Sequence, residues 1–430
     1  MFIDFTLANY RSIKDPVTLS AVEVRRGPGT TRQGLGAQRV KTDDDIAPAH
    51  KNEVHDLAVL PVLGIFGANA SGKSNVIRAL HDLVCLARWG TSLANMDIRP
   101  FSLDPITRCQ PTRFEVRACV DDMVYTYQLE ADDERVHRER LDVLPPHART
   151  PRLLFERTWL GQGEESHWVN GRMFAGPHKQ LQRSLKPAQL YMSILATHVN
   201  VDIAQPFVNW LTSIWLGLTL GEEADDLDFA IRTAHNHEDA KDQILAFVRN
   251  FDTGITDFSI EKQDQDDRGR SQPKLEVIVY HETPEGPVSW PLDYESTGTQ
   301  RLFGLAPKIL FCLQLGGAML VDELGSNIHP LITRRLVELF QSPVTNPCRS
   351  QLIFTSHDNT LQRNQLLRRD QVWFTKKNSD GSTDLYPLAD YRPRNDLAID
   401  RAYLDGRFGA IPILEEVSST PVVGRPTDGG

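Results

Sequence analysis

The distribution of apolar and polar positions predicts sheet-forming segments near the start of the chain. Alternating apolar and polar residues predict strands at 2–7 and 17–22, and an antiparallel meander over 112–143. A continuous apolar run at 61–66 is typical of a strand that is buried on both faces of a parallel sheet. An amphipathic helix is predicted directly after this strand, over 74–89.

The middle of the chain has a helical pattern, and the last third alternates helix and strand. Apolar residues recur at helical spacing from 181 to 251. Beyond position 297 the pattern predicts the units of a parallel α/β sheet. These units are helix 301–315, strand 318–322, helix 330–340 and strand 351–355.

A helical insertion into a split α/β domain is the simplest organisation that fits this order. We predict that residues 1–178 form the N-terminal part of the α/β domain together with the meander. Residues 179–272 form the mostly helical insertion, and residues 273–417 complete the α/β domain. The last residues, 418–430, are rich in Ser, Thr, Pro and Gly, which predicts a disordered tail.

The composition of the chain limits the partners that the protein can bind and the cellular compartment in which we expect it. The 430 residues carry a formal net charge of −10, so a contact with nucleic acid or a membrane surface would require a local patch. The Arg-rich segment from 25 to 41 could be such a patch or a flexible charged loop. No run approaches the roughly 18 apolar residues of a membrane-spanning helix. Five scattered cysteines without a C-x-x-C pair favour a cytoplasmic location.

A phosphate-binding loop follows the apolar strand. Residues 67–74 match the pattern G-x-x-x-x-G-K-[ST] in full. The glycines let the loop wrap closely, so that backbone N–H groups and a helix N-terminus face phosphate oxygens. Lys73 supplies a cation to the β- and γ-phosphates, and the Ser74 hydroxyl is a ligand for Mg²⁺. The predicted nucleotide-binding residues of the loop are Gly67, Asn69, Ala70, Ser71, Gly72, Lys73 and Ser74.

Two carboxylates end a second buried strand. The apolar residues at 318–321 are followed by Asp322 and Glu323. At the C-terminal end of such a strand, Asp322 can reach Mg²⁺ or its water, and Glu323 can polarise the attacking water. Many buried strands end in an acidic residue, but the pair in combination with a phosphate loop predicts nucleotide hydrolysis.

Two further segments have a chemical and a purely structural interpretation. His357 ends the next apolar strand, where a sensor of the γ-phosphate would lie, although a histidine at a strand end is more often structural. Ser296, Gly298 and Gln300 precede an apolar helix. They could form a helix cap, with Ser296 or Thr297 capping and Gln300 closing a capping box, or an anion site at the helix N-terminus.

The order of these motifs resembles the ABC-type ATPases of the SMC, RecF and OLD group. That order is phosphate loop, long insertion, Ser-Thr-Gly-Thr-Gln, Val-Asp-Glu, Asn-Ile-His-Pro and Thr-Ser-His. The resemblance implies an α/β P-loop fold: an ABC-type ATPase head with an antiparallel β subdomain and a mostly helical insertion. It also implies that ATP and Mg²⁺ are the cofactors. The protein would then be a homodimer, or a higher oligomer, with composite ATP sites.

The resemblance also assigns a signature motif, which in this family reaches the γ-phosphate on the opposite subunit. Ser296, Gly298 and Gln300 match its S-G-G-[QE] core. Thr297 and Thr299 depart from that core, one by replacing a glycine and one as an extra residue.

Other residues acquire roles in the same way. Residues 324–329 would be the D-loop, and His357 the switch histidine. The opening Asn-Tyr-Arg-Ser looks like the family's N-F-R-S, whose arginine lies near the phosphates, and that arginine is Arg11. Asn75 directly follows the phosphate loop and would also contact the nucleotide.

A closer resemblance covers nearly the whole chain. The stretches G-A-N-A-S-G-K-S-N, E-S-T-G-T-Q-R and F-T-S-H-D, with the segment 403–412, look like those of the RloA/AbiL-type ATPases. These stand-alone bacterial proteins are encoded in phage-defence and abortive-infection operons next to a separate effector. The resemblance implies an ATPase switch that senses infection and regulates a nuclease or toxin. Segment 403–412 has no catalytic chemistry of its own, and it could be a packing element or a docking site for a partner.

Two other functions stay open. A DNA-repair or chromosome-associated ATPase of the RecF or SMC type would need a basic groove on the closed dimer, which the net charge of −10 does not favour. A scaffold that binds ATP without hydrolysing it would not need Glu323. ATP turnover measured with and without duplex DNA distinguishes these functions.

Overall fold

The structure is a computed structural model of the chain. It describes residues 1–24, 47–90, 93, 96–161, 163, 165–176, 178–198, 201–214, 218–219, 223–262, 275–363, 366–392 and 397–412. The Arg-rich segment from 25 to 41 and the predicted tail at 418–430 lie outside these residues.

Strands and helices are numbered here in chain order. The described strands are β1 (Phe2–Ala8), β2 (Val17–Ser20), β3 (His50–Asn52), β4 (Leu57–Val59), β5 (Val62–Gly67), β6 (Thr112–Val120), β7 (Met123–Ala131), β8 (Val136–Leu144), β9 (Arg152–Trp159), β10 (Ser166–Asn170), β11 (Leu218–Thr219), β12 (Ile255–Lys262), β13 (Leu275–Thr283), β14 (Gly286–Pro291), β15 (Ala318–Val321), β16 (Gln351–Thr355), β17 (Val372–Lys377) and β18 (Thr383–Pro387). The described α-helices are α1 (Lys73–Trp89), α2 (His178–Ser184), α3 (Tyr191–Thr197), α4 (Gln205–Ser213), α5 (Glu223–Asn236), α6 (Glu238–Arg249), α7 (Thr297–Leu315), α8 (Pro330–Gln341) and α9 (Ile399–Leu404).

A six-stranded, mainly parallel sheet carries the phosphate loop near its centre. Its strand order is β11-β15-β16-β5-β17-β18, and β18 is antiparallel to β17. Every residue of β5, β15 and β16 is buried, as expected for parallel strands that are covered on both faces. Because parallel strands end at the same edge of a sheet, the loops after β5, β15 and β16 meet there.

The predicted meander is part of a seven-stranded antiparallel sheet with the order β10-β9-β8-β7-β6-β1-β2. Burial alternates along β7, so that one face of this strand packs against the core. That core also contains apolar residues of α1, α3 and α4. The antiparallel sheet and the helix that follows the phosphate loop therefore share one hydrophobic core.

The stretch 179–272 was predicted as a mostly helical insertion, and its described part contains helices together with β11 and β12. β12 pairs with β13 in a three-stranded antiparallel sheet that continues into β14. The helices divide between two cores, since α3 and α4 pack with the seven-stranded sheet, whereas α5 and α6 pack with α7. Helical periodicity shows that a segment has an apolar face, but not which core covers that face.

Helix α7 begins earlier than its apolar pattern predicts. The predicted start was Arg301, and the observed first residue is Thr297. The first turn consists of Thr, Gly, Thr and Gln, which carry no apolar periodicity, and the Ser296 side chain caps this turn.

Segment 403–412 is a packing element, which confirms the structural interpretation of its sequence. Phe408 and Ala410 are buried, and the rings of Tyr403 and Phe408 both stack on Phe374 of β17. The Tyr386 hydroxyl donates a hydrogen bond of 2.7 Å to the backbone carbonyl of Phe408. Within the described residues, no helix is both long and apolar enough to cross a membrane.

Candidate functional site

The phosphate loop connects β5 to α1 and depends on glycine at two positions. Gly67 and Gly72 have φ angles of 155° and 102°, which other residues rarely adopt. A Cβ atom on Gly67 would lie 2.5 Å from the Thr375 hydroxyl, and one on Gly72 would collide with Thr383. The loop therefore lies directly on β17 and the start of β18, and a larger side chain at either glycine would push it away.

Lys73 is the buried cation of this loop. Its Nζ donates hydrogen bonds of 3.0 Å to the backbone carbonyls of Gly67 and Ala68, and the residue is only 5% exposed. Burial lowers the pKa of the Lys73 ammonium to about 8, although the carboxylates of Glu323 and Asp322 act in the opposite direction. A buried cation held only by neutral carbonyls is well suited to bind phosphate oxygens.

Ser74, Asp322 and Thr355 form a hydrogen-bonded group at the ends of α1, β15 and β16. The Ser74 hydroxyl donates to Asp322 Oδ1 at 3.0 Å, and the Thr355 hydroxyl donates to the same oxygen at 2.5 Å. Asp322 is only 8% exposed, and the hydrogen bond from Thr355 fixes the orientation of its carboxylate at the edge of the sheet. A serine hydroxyl and a carboxylate are oxygen ligands of the kind that Mg²⁺ prefers, and the donor set fits this ion.

Glu323 and His357 project from the same edge into an open cleft. The backbone N–H of Glu323 donates to the Thr355 hydroxyl at 2.8 Å, and Glu323 has a positive φ of 55°. Its Oε1 lies 3.8 Å from His357 Nε2, and the two side chains are 50% and 46% exposed. Burial, and then the positive charge of Lys73, lower the pKa of His357, so that its imidazole is neutral at pH 7.

These side chains border one cleft of about 760 Å³. Its lining contains Ser12, Asn69, Ala70, Gly72, Lys73, Ser74, Asn75, Glu323 and His357. Among the remaining predicted residues, Ser71 donates to or accepts from the Thr375 hydroxyl at 2.6 Å beneath the loop. The fold thus brings together residues from the first and the last thirds of the chain.

Arg11 does not line this cleft. Its guanidinium donates to the Asp97 carboxylate at 2.7 Å and to the Tyr10 hydroxyl at 3.0 Å. The neighbouring Ser12 faces the cleft instead, where its hydroxyl accepts a hydrogen bond of 2.7 Å from the Asn75 side chain. The sequence motif thus lies beside the phosphate loop, but it reaches the loop through its serine.

The predicted signature residues make local hydrogen bonds. Ser296 Oγ accepts from the backbone N–H of Thr299 at 3.2 Å and caps α7. The Gln300 amide donates to the backbone carbonyls of Glu295 at 2.9 Å and Asp293 at 3.2 Å, so it does not close a capping box of the predicted kind. None of these side chains is part of the lining of the cleft in the same chain.

Gly298 and Arg301 nevertheless join the start of α7 to the loop that follows β15. A Cβ atom on Gly298 would lie 2.5 Å from the backbone carbonyl oxygen of Asn327, so only glycine allows this approach. Arg301 Nη2 donates a hydrogen bond of 3.0 Å to the backbone carbonyl of Glu323. The predicted signature segment and the predicted D-loop are therefore in direct contact.

Several residues of the site were missed by the sequence analysis. Ser12 and Thr355 lie inside motifs that had been singled out, and their hydroxyl groups were the available signal. Thr375, Thr383 and Arg301 had no such signal, because they come close to the phosphate loop or Glu323 only through the packing of distant elements.

Comparison with known proteins agrees with this geometry. The family model described as "AAA domain, putative AbiEii toxin, Type IV TA system" matches residues 62–363, well over half of the chain. No curated protein matches the chain. The predicted fold class, an α/β P-loop fold of the ABC-type ATPase head, is confirmed by the parallel sheet, its phosphate loop and the position of the acidic strand.

Solved structures with distant similarity include three SMC heads. The SMC head domain from Thermotoga maritima has 11% sequence identity and a TM-score of 0.42, over 90% of this chain and 98% of that chain. The SmcHead bound to the C-winged helix domain of ScpA has 11% identity and a TM-score of 0.41, over 94% and 99%. The Smc head with an extended coiled coil, bound to a ScpA domain derived from Pyrococcus furiosus, has 12% identity and a TM-score of 0.36, over 95% and 98%.

Proposed function

Since the chain belongs to this AAA-domain family, we propose that it binds ATP with Mg²⁺ and hydrolyses it as an ABC-type switch protein. One observation carries the proposal: a buried lysine, a serine hydroxyl and an open glutamate border a single cleft, and that hydroxyl hydrogen-bonds the carboxylate of Asp322. Each of these groups has a separate task in phosphoryl transfer, and a structural role for the cleft would not require them together.

In the proposed reaction, the loop N–H groups and Lys73 bind the β- and γ-phosphates. Ser74 and Asp322 would hold Mg²⁺, which supplies charge neutralisation on the phosphate oxygens when bound. Glu323 accepts a hydrogen bond from the attacking water and increases its nucleophilicity. His357, neutral at pH 7, donates a hydrogen bond to the γ-phosphate or to the attacking water. After hydrolysis and phosphate release, His357 no longer has this acceptor.

We propose further that the active form is a homodimer with two composite sites. In one chain the cleft is open, and Glu323 and His357 are half exposed toward solvent. The start of α7 carries a capped helix N-terminus, with Ser296 and Gly298, that the cleft of the same chain does not use. A helix N-terminus attracts phosphate oxygens, so the segment of one protomer can complete the cleft of the other.

The biological role that we propose is regulation of a separately encoded effector, a nuclease or a toxin, in cytoplasmic defence against phage. The family description, which names an AbiEii toxin and a type IV toxin–antitoxin system, supports this role. The motifs that resemble RloA/AbiL-type ATPases support it independently. Closure on ATP and opening after hydrolysis would then transmit the signal.

ATP turnover by the purified chain, measured with and without duplex DNA, tests the proposal. We expect turnover in the presence of Mg²⁺ that does not depend on DNA. Stimulation by duplex DNA would favour the DNA-repair or chromosome-associated function, and absence of turnover with intact ATP binding would favour the scaffold. Addition of the protein encoded by a neighbouring gene then tests the effector: we expect its activity to depend on the nucleotide bound to the ATPase.

A further inference from the structure

A second cavity, of about 520 Å³, lies at the edge of the seven-stranded sheet, far in sequence from the phosphate loop. β9 and β10 form one side, and α2 with the segment that follows it forms the other. Its volume is within the roughly 300–1,000 Å³ that is typical of small-molecule sites. None of its lining residues lines the phosphate cleft.

Arg157 forms the inner wall of this cavity and is only 2% exposed. Its guanidinium donates to the Ser166 hydroxyl at 3.0 Å and to three backbone carbonyls, of which the nearest is that of Gln189 at 2.7 Å. All of these acceptors are neutral, and the buried carboxylate of Glu139 attracts the Arg157 charge without a direct hydrogen bond among the described contacts. A buried cation whose nearby carboxylate does not bond to it directly is only partly compensated, and an anionic ligand in the cavity would add to that compensation.

Two more cations stand at the mouth of the cavity. Lys179 and Arg183 are exposed residues of α2 that are spaced by four positions, so they lie on the same face of the helix. Like charges at this spacing repel each other and weaken the helix. Among the described lining residues, these three cations stand with one carboxylate, that of Glu165, in a chain whose net charge is −10. The charges of the described lining residues therefore favour an anion in this cavity.

An aromatic ring completes the lining. Trp168 of β10 is held in place by Arg157, whose Cζ lies 5.6 Å from the ring centroid, and by an edge contact with Tyr191 at 5.1 Å. Tryptophan rings beside cations are the usual platform for nucleotide bases, because the ring stacks on the base while the cations bind the phosphate. Glu165 can accept a hydrogen bond from a ribose hydroxyl or a base amine.

We propose that this cavity binds a nucleoside phosphate, with the phosphate on the three cations and the base on the Trp168 ring. The ligand is either a free mononucleotide or the 5′-terminal nucleotide of a single strand, since both present the same base and phosphate. This site is separate from the phosphate cleft and needs neither a β- nor a γ-phosphate.

Calorimetric titration of the full chain tests the proposal in the Lys73→Ala background, in which the phosphate loop is silenced. The probes are AMP, a short oligothymidylate with a 5′-phosphate, the same strand without phosphate, and inorganic phosphate. We expect AMP or the phosphorylated strand to bind, and the combined change Lys179→Glu and Arg183→Glu to weaken binding by at least ~10-fold. The matched control, Arg149→Glu with Arg152→Glu, alters the net charge equally at exposed positions outside the cavity and should have no effect.

A second variant separates the base from the phosphate. Trp168→Leu should weaken AMP binding by roughly 10-fold while leaving the affinity for inorganic phosphate unchanged. Tighter binding of AMP than of the phosphorylated strand identifies a free mononucleotide as the ligand, and the reverse order identifies a strand end. The proposal is overturned if neither probe binds, if the control variant loses affinity equally, or if inorganic phosphate binds as tightly as AMP.

Discussion

The phosphate cleft and the signature segment at the start of α7 differ in how their polar groups are satisfied. In the cleft, hydrogen bonds join residues far apart in the chain, such as Ser74 to Asp322 and Ser71 to Thr375. In the signature segment, the Ser296 and Gln300 side chains bond to residues within seven positions. The geometry of the cleft therefore depends on tertiary contacts. The polar side chains of the signature segment are instead satisfied by local hydrogen bonds, and the N-terminus of its helix faces outward.

This difference fits the proposed roles of the two regions, phosphate binding in the cleft and contact with a second protomer at the signature segment. A site that must hold phosphates in one geometry benefits from being fixed by several strands before the ligand arrives. A segment that must reach another molecule has to be folded and exposed in the single chain. The signature segment can influence the phosphate cleft through two contacts. Gly298 packs against the backbone of Asn327, and Arg301 donates a hydrogen bond to the Glu323 carbonyl.

Removal of the buried cation, Lys73, should have the largest effect on the phosphate cleft. Lys73→Ala should weaken ATP binding by roughly 100-fold or more, because its charge-assisted bonds to the phosphates are lost. Equilibrium binding of a fluorescent ATP analogue measures this loss. Lys376→Ala, an exposed lysine at the end of β17, is the control and should bind normally. A folded Lys73→Ala protein with parental affinity would refute the assignment of the loop.

Glu323→Gln should separate binding from chemistry within the cleft. The amide keeps the shape of the side chain but is a poor proton acceptor, so turnover should fall roughly 100-fold or more with ATP affinity retained. ATP should then accumulate a closed dimer that elutes earlier in size-exclusion chromatography. The exposed Glu285→Gln is the matched control. Parental turnover in Glu323→Gln would mean that another group positions the water.

Ser296→Arg tests whether the signature segment acts on the opposite protomer. It places bulk and charge where the partner's γ-phosphate would lie, so turnover should be lost while ATP binding by Lys73 persists. In a mixture with Lys73→Ala protomers, the mixed dimer has one site with both changes and one with neither, and part of the activity should return.

A mixture of wild type with Lys73→Ala is the control for that complementation. Its mixed dimers also have one intact site, so their activity shows whether a single site can work alone. If this control is active and the Ser296→Arg mixture is silent although mixed dimers form, the segment acts within its own chain.

Arg301→Ala should have a smaller effect, because Arg301 lies outside the lining of the phosphate cleft and reaches it through a hydrogen bond to the backbone carbonyl of Glu323. We expect turnover to fall by about 10-fold and ATP affinity to stay within a factor of two or so, since the phosphate loop is untouched. Arg301→Lys, which keeps a donor, should recover part of the rate. The melting temperature of each variant shows whether the fold is intact, and a change in affinity without a change in turnover would contradict the coupling.

The pH dependence of ATP binding should be the mildest effect. The pKa of Lys73 is about 8 in the protein without ligand, and bound phosphates raise it. Above pH 8 binding therefore takes up a proton, and the affinity should fall as pH rises, by at most about 10-fold per pH unit. Calorimetry in two buffers with different ionisation enthalpies measures the proton uptake. No uptake at pH 8.5 would mean that Lys73 is already protonated.

The chemistry of the cleft could be predicted from the sequence because its groups lie in short motifs. Residues 67–74 contain the whole phosphate loop, and the strand before it and the helix after it have apolar patterns that are complete within about 20 positions. Asp322 and Glu323 end a strand, and the rule that parallel strands end at one edge is enough to bring them to the loop. These features depend on local conformation and on one general rule of topology.

The contacts between distant elements could not be predicted from the sequence and are known from the three-dimensional structure. It directs Ser12 rather than Arg11 to the cleft, and it sets Thr375 and Thr383 beneath the loop. It also divides the helices after position 178 between two cores, and it builds the cationic cavity from β9, β10 and α2. The physical reason is the same in each case. Apolar periodicity records which face of an element is buried, whereas the partner on that face depends on how the whole chain packs.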